Sequence, residues 1–230
     1  MVTTVAVRHV INATPRSRII GLDLAGQPFP FAAGQAVMVG LHDSPIRKPY
    51  SIASAPWEIA KSGIIQLLAQ IDETGALDPH LELAAPGTLI DVDGPFGSFA
   101  LTPDCEGRPL LMIAGGTGIA PLRSMLMERI AKPDAPPIAV VYSARSAEEF
   151  AYRAEFEAMA AAGRIRLWLT VSRDDEAWGG RRGRIDEAFL RTALPSLDSC
   201  CLICGPPSLV SSARELLLRV GVTTILTEKY

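Results

Sequence analysis

The sequence predicts an all-β half, barrel or sandwich, followed by an α/β half built on a parallel sheet, and three observations carry that reading. The first hundred residues break into short apolar strands punctuated by Gly and Pro. From about residue 105, longer apolar runs alternate with amphipathic helical stretches, and such alternation means a parallel sheet with crossover helices. The chain has 230 residues, 48% hydrophobic and 20% charged, which is enough apolar material for one large domain or two compact ones.

Six strands are expected in the first half: "TTVAVRHV", "SRIIGLDL", "QAVMVGLH", "PYSIASA", "GIIQLLAQI" and "GTLIDVDG". A helical insert fits Asp78 to Leu83, where Asp78 can cap and Pro79 can occupy the first turn. "TPDCEGRP" reads as the linker. After it come the strands "LLMIAG", "IAVVYSA", "IRLWLTVS", "CCLICG" and "TTILTE". Between them, Leu122, Met125, Leu126 and Ile130 recur at helical spacing after Pro121, and "EEFAYRAEFEAMAAA" and "LVSSARELLLRV" are amphipathic. Parallel sheets bind ligands at the carboxyl ends of their strands, where the turn "GGTG" and the segments "SAR", "SR" and "CGP" all fall.

Several functions are disfavoured at once. A net charge of −3 gives no global field for nucleic acid or an anionic membrane. No apolar run approaches the roughly 18 residues of a spanning helix, and "MVTTVAVRHV" lacks the pattern of a signal peptide, so a cytoplasmic protein is expected. His9, His42 and His80 show neither metal-ligand spacing nor a nucleophile partner, which argues against a hydrolase. Cys200, Cys201 and Cys204 are close in sequence, but on a strand Cys200 and Cys204 would stand roughly 13 Å apart, with Cys201 on the other face. No metal site is expected, and Cys200 and Cys201 read as small apolar side chains in a buried strand.

The glycine turn departs from the dinucleotide fingerprint, since Pro121 stands where a third glycine or an alanine belongs. Its context resolves the difference. "KPYSIAS" at 48–54, "GPFGSF" at 94–99, "AGGTGIAPLRSML" at 114–126, "CGPP" at 204–207 and a closing "EKY" occur in one order along one chain. Together these motifs resemble the ferredoxin–NADP reductase superfamily over essentially the entire length. The resemblance implies a β + α/β fold: an antiparallel six-stranded flavin-binding barrel at 1–104, then a C-terminal parallel-sheet nucleotide-binding domain at 105–230. It also implies FAD and NADP (or NAD) as cofactors. Gly115, Gly116 and Gly118 leave room for backbone N–H groups to approach a pyrophosphate at a helix start, Thr117 adds a hydroxyl, and Pro121 starts the helix at little cost.

By the same resemblance, Lys48, Pro49, Tyr50 and Ser51 form the flavin motif, with Tyr50 against the ring and Ser51 donating toward N5. Lys48 stands at the usual arginine position. Either it makes a simpler phosphate contact or Arg47 reaches round from a shifted backbone. Gly75, Ala76 and Leu77 would offer backbone contacts to the flavin pyrophosphate, while Asp78 replaces the family's hydroxyl and would weaken that site by repulsion. Cys204 would lie beside the nicotinamide, with Gly205 and Pro206 following it. Glu228 would be the site's carboxylate, and Tyr230 would cover the flavin where nicotinamide enters. Ser172 and Arg173 match the pair that holds a 2′-phosphate in NADP-specific relatives. Arg181, Arg182 and Arg184 could assist, Arg145 would line the same face, and Asp174 and Asp175 could instead favour a free hydroxyl.

The implied activity passes hydride from NAD(P)H to flavin N5 and electrons onward. The cysteines lack the spacing of a plant-type iron–sulfur cluster and the two halves use all the residues, so a separate acceptor is expected: ferredoxin, flavodoxin or an oxygenase component. A reductase that treats free flavin as substrate is the nearest alternative. A redox-sensing module that binds nucleotide without turnover comes from a different class.

Overall fold

The computed structural model describes residues 2–71, 81, 84–173 and 178–230. The first sheet contains β1 (Val2–Thr14), β2 (Ser17–Asp23), β3 (Ala36–Leu41), β4 (Lys48–Ser51), β5 (Ile64–Gln70) and β6 (Leu89–Phe96). All of its pairings are antiparallel, in the order β4-β3-β6-β1-β2-β5. A bridge between Ile52 and Leu67 joins its two ends and closes the barrel. Ile20, Leu22, Val37, Leu67 and Ile90 fill the interior, their outward neighbours alternating with them along each strand.

A short helix, α1 (Pro56–Ser62), fills the connection between β4 and β5, a segment that falls between two expected strands. Pro56 sets its first turn, the Glu58 carboxylate accepts from the Ala55 N–H at 2.8 Å, and Gly63 ends it with φ +71°. The expected helix at Asp78–Leu83 lies outside the described residues, apart from a buried Leu81.

The second sheet is parallel, in the order β10-β9-β8-β7-β11-β12. Its strands are β7 (Leu110–Gly115), β8 (Ile138–Ala144), β9 (Arg166–Val171), β10 (Arg181–Arg182), β11 (Cys200–Gly205) and β12 (Ile225–Lys229). The helices are α2 (Ile119–Ile130), α3 (Arg153–Ala161), α4 (Glu187–Ala193) and α5 (Pro207–Val220). β7 and β11 are buried at every residue, as a sheet covered on both faces requires. Pro121 falls two residues inside α2, still in the first turn, where its missing N–H costs no intrahelical bond.

From β7 the chain winds outward through β8, β9 and β10, then returns to the opposite side of β7 for β11 and β12. The reversal leaves a crevice between the carboxyl ends of β7 and β11, the place where open α/β sheets bind ligands.

The halves share a core. Ala53, Leu68 and Phe99 of the first half pack with Ile119, Leu122 and Met125 of the second. Arg123 is the polar centre of this junction. It donates to the Ala53 carbonyl at 2.8 Å, to both Glu58 oxygens at 3.0 Å, and to Glu155 at 2.6 and 2.7 Å. The Ser124 hydroxyl adds a bond to the Ser54 carbonyl at 2.7 Å.

One cysteine expectation is corrected. Cys200 is not a free apolar filler but is bonded to Cys105, with Cα atoms 5.3 Å apart. The register explains the meeting: Cys200 pairs with Leu110 at the start of β7, and the linker's single 3-10 turn, Pro103–Cys105, sits just before that strand. Cys201 and Cys204 are free and buried, and burial pushes the Cys201 thiol up to about 12.

Candidate functional site

Sheet register brings the reactive side chains together. Cys204 lies at the end of β11 between Ala114 of β7 and Glu228 of β12. Its thiol points at the Glu228 carboxylate, with Sγ to Oε2 4.0 Å. Ser51, at the end of barrel strand β4, stands near the same carboxylate from the other half of the molecule, and its hydroxyl favours the charged form. Three polar side chains, one of them more than 150 positions from the other two in sequence, thus meet at the seam between the sheets.

Their electrostatics follow from that place. Burial raises the Cys204 thiol well above its ordinary range, and the nearby Glu228 charge raises it further, so the side chain is a neutral thiol. Burial also raises Glu228, with the Ser51 hydrogen bond opposing the shift. The cluster can hold a proton at the Glu228 carboxyl, and it offers a small side chain, Cys204, where a flat ring could approach.

The glycine turn closes over this cluster. A Cβ on Gly118 would come within 2.4 Å of the Cys204 carbonyl, so only glycine allows the α2 start and the β11 end to touch. Gly116 has φ +53°, and a Cβ there would lie 2.7 Å from the Tyr230 hydroxyl. That hydroxyl donates to the Gly115 carbonyl at 2.7 Å, and the Thr117 side chain also bonds it. Tyr142, wholly buried, donates to the Gly116 carbonyl at 3.0 Å and so braces the turn from below.

Beside the turn opens a cavity of about 540 Å³, within the usual range for small-molecule sites. Its walls include Gly115, Gly116, Thr117, Arg145, Ser172 and Pro206, six of the residues expected to hold nucleotide. Tyr230 stands in the cavity wall, 53% exposed, with its hydroxyl at the buried end.

Other expected residues lie elsewhere. Arg173 is exposed and does not line the cavity, and Arg182 donates to the Trp178 carbonyl at 2.8 Å. Arg181 pairs with Asp186 at 2.7 Å and lies over the Phe189 ring. Of that arginine run it is Arg184 that lines the cavity. Arg47 donates to Asp91 at 3.1 Å, in a cluster with His42 and Thr4. Gly75, Ala76, Leu77 and Asp78, with Asp174 and Asp175, lie outside the described residues.

Sequence reasoning missed one wall of the cavity. Thr14, Arg16 and Ser17 reach it from the barrel, and Ser208 and Ser212 from α5. "TPRS" reads only as a hairpin turn, and nothing local says that the turn faces the other half. Ser208, following "CGPP" at the start of a helix, could have been found.

Both halves of the chain match known proteins. Residues 3–101 match the family model of the oxidoreductase FAD-binding domain, and residues 112–215 that of the oxidoreductase NAD-binding domain. The chain is 36% identical to ferredoxin–NADP reductase B of Sorangium cellulosum, over 83% of this chain and 80% of that protein. It is 33% identical to NADH-cytochrome b5 reductase 1 of Eremothecium gossypii, over 70% of this chain but only 58% of that protein. Among solved structures, a cytochrome P450 reductase from Amycolatopsis superposes with TM-score 0.85 at 26% identity, over 99% of this chain and 70% of that one. A ferredoxin NADP+ reductase from Neisseria gonorrhoeae, solved with bound FAD and NADP, shares the fold with TM-score 0.80 at 21% identity, over 99% and 98% of the two chains.

Proposed function

The chain belongs to the ferredoxin–NADP reductase superfamily and is an NAD(P)H-dependent flavoprotein oxidoreductase that binds FAD and a nicotinamide dinucleotide, and from that premise we propose that it draws electrons from NADPH and passes them to a separate electron-transfer protein. The observation that carries this reading is the meeting of Ser51, Cys204 and Glu228 at the seam, beside a cavity of dinucleotide size. FAD supplies an acceptor for two electrons that can be released one at a time. What the chain supplies is position. Lys48, Tyr50 and Ser51 on β4 hold the flavin from the barrel side, and the Gly115–Gly118 turn takes the dinucleotide's pyrophosphate on backbone N–H groups.

Cys204, small and neutral, leaves room for the nicotinamide at the Glu228 carboxylate. The Ser51 hydroxyl donates into the same spot, where a fixed hydrogen bond in a water-poor site favours developing charge. The Tyr230 ring stands where the nicotinamide half of the dinucleotide must pass, so it swings aside and releases the Gly115 carbonyl when the nucleotide enters.

The preference for NADPH rests on Arg145, Ser172 and Arg184, which line one cavity and can together hold a 2′-phosphate. Arg184→Ala is expected to raise KM for NADPH about tenfold or more, the scale of a lost charge-assisted hydrogen bond, and to leave KM for NADH near its original value. Equal changes for the two nucleotides would remove the 2′-phosphate role. The acceptor's chemistry is proposed as a ferredoxin, a flavodoxin or an oxygenase component. Steady-state reduction of each by the FAD-loaded protein with NADPH tests it, and failure with all three would overturn it.

A further inference from the structure

Among the described residues, the cavity is lined by three cations, Arg16, Arg145 and Arg184, and by one carboxylate, Glu149. Arg145 and Arg184 come from the nucleotide-binding half. Arg16 comes from the barrel, and its Nε lies 4.0 Å from the Glu149 Oε1, so the two halves meet at this pair.

The turn that carries Arg16 is unusually well fixed. Its N–H donates to the Thr14 hydroxyl at 3.1 Å, that hydroxyl bonds Ser17 at 2.8 Å, and the Arg16 carbonyl accepts from Ile71 N–H at 2.8 Å. A turn so held fixes where the Arg16 side chain leaves the backbone. Ser17 pairs with Gln70 at the end of β5, and β5 packs against the Gly116–Gly118 turn. Arg16 therefore lines the cavity together with Gly115, Gly116 and Thr117, the turn that takes the pyrophosphate.

Glu149 follows Arg145 by four residues, in a 3-10 turn whose next segment is anchored by the bond from Ala151 N–H to the Tyr142 hydroxyl, at 3.2 Å. Both side chains of the pair are partly exposed, 29% for Arg16 and 21% for Glu149, and 4.0 Å is a loose separation for an ion pair. Such a contact is weak, whereas an arginine on a dinucleotide phosphate makes a stronger, charge-assisted bond.

We propose that Arg16 is a barrel-side ligand of the dinucleotide's pyrophosphate, held by Glu149 until the nucleotide arrives and exchanging carboxylate for phosphate on binding. Glu149 then turns to solvent. The exchange makes the bound dinucleotide a tie between the two halves. Arg16 is a binding residue here, and Glu149 is its competitor. The inference rests on the nucleotide-site reading given under Proposed function.

The two partners of one ion pair must then act in opposite directions. In calorimetric titrations of the FAD-loaded protein with NADP+ and with NAD+, Arg16→Ala is expected to raise Kd about tenfold for both nucleotides. Glu149→Gln removes a competing charge and is expected to lower both Kd values about threefold, the scale of a partly exposed pair. Arg16→Lys should recover part of the affinity, and the Arg16→Ala loss should shrink at high salt. If Glu149→Gln weakens binding as Arg16→Ala does, the pair is merely structural and the proposal is overturned. Loss for NADP+ alone would put Arg16 on the 2′-phosphate and overturn the pyrophosphate assignment. A wild-type protein that binds neither nucleotide would instead overturn the site reading itself.

Discussion

Glu228 carries two opposed influences: burial raises its carboxyl above the ordinary range, and the Ser51 hydroxyl pulls it back. A raised carboxyl in the folded state favours the proton, so its contribution to stability is present below the unfolded value of about 4.3 and is lost as pH rises through the folded value. Glu228→Gln is therefore expected to raise Tm at pH 8, and the gain should fade toward zero at pH 4; an equal gain at both would mean that the carboxyl is not shifted. Ser51 acts on the chemistry rather than on stability. Ser51→Ala should slow flavin reduction by NADPH in rapid-mixing measurements by about 10²-fold, with nucleotide Kd changed little. The meeting of Ser51, Cys204 and Glu228 was legible from the motifs "KPYS", "CGPP" and "EKY", which carry strand ends with them. Arg16 was not. Its partner Glu149 is 133 positions away in a different half, and no local pattern marks a long-range ion pair.

At the scale of elements, the packing of the α2 start on the β11 end is a tight constraint. Gly118→Ala places a Cβ 2.4 Å from the Cys204 carbonyl, backbone that cannot swing away. The substitution is expected to cost about 3 kcal/mol in urea unfolding and to weaken nucleotide binding by opening the turn. A second joint is Arg123, which binds α1 through Glu58 and α3 through Glu155. Arg123→Met would leave two carboxylates facing one another without their cation, a loss of about 3 kcal/mol in the same assay. An unchanged unfolding midpoint would mean that the ion cluster is offset by its own desolvation. The long strands and helices could be read from periodicity, since each buries one face or both. The short helices α1 and α4, each of seven residues, could not, because seven residues complete barely two turns and show little period. The Cys105–Cys200 link escaped for another reason: the two residues are 95 positions apart, and only the parallel register of β7 and β11 brings them together.

For the whole molecule, the two sheets form one body around a shared core, and the proposed reaction happens at their seam. Ser51 comes from the barrel, Cys204 and Glu228 from the parallel sheet, and the cavity is walled by both. Neither half alone presents the complete site. Among the described residues, no helix is long and apolar enough to cross a membrane. The most direct measurement is an anaerobic titration of the FAD-loaded protein with NADPH and with NADH, following the visible flavin band. The account predicts that NADPH bleaches the band at stoichiometric concentration and more readily than NADH, and that an added one-electron acceptor restores it. A band that stays unbleached with either nucleotide would contradict the assignment of Ser51, Cys204 and Glu228 as the place where electrons pass.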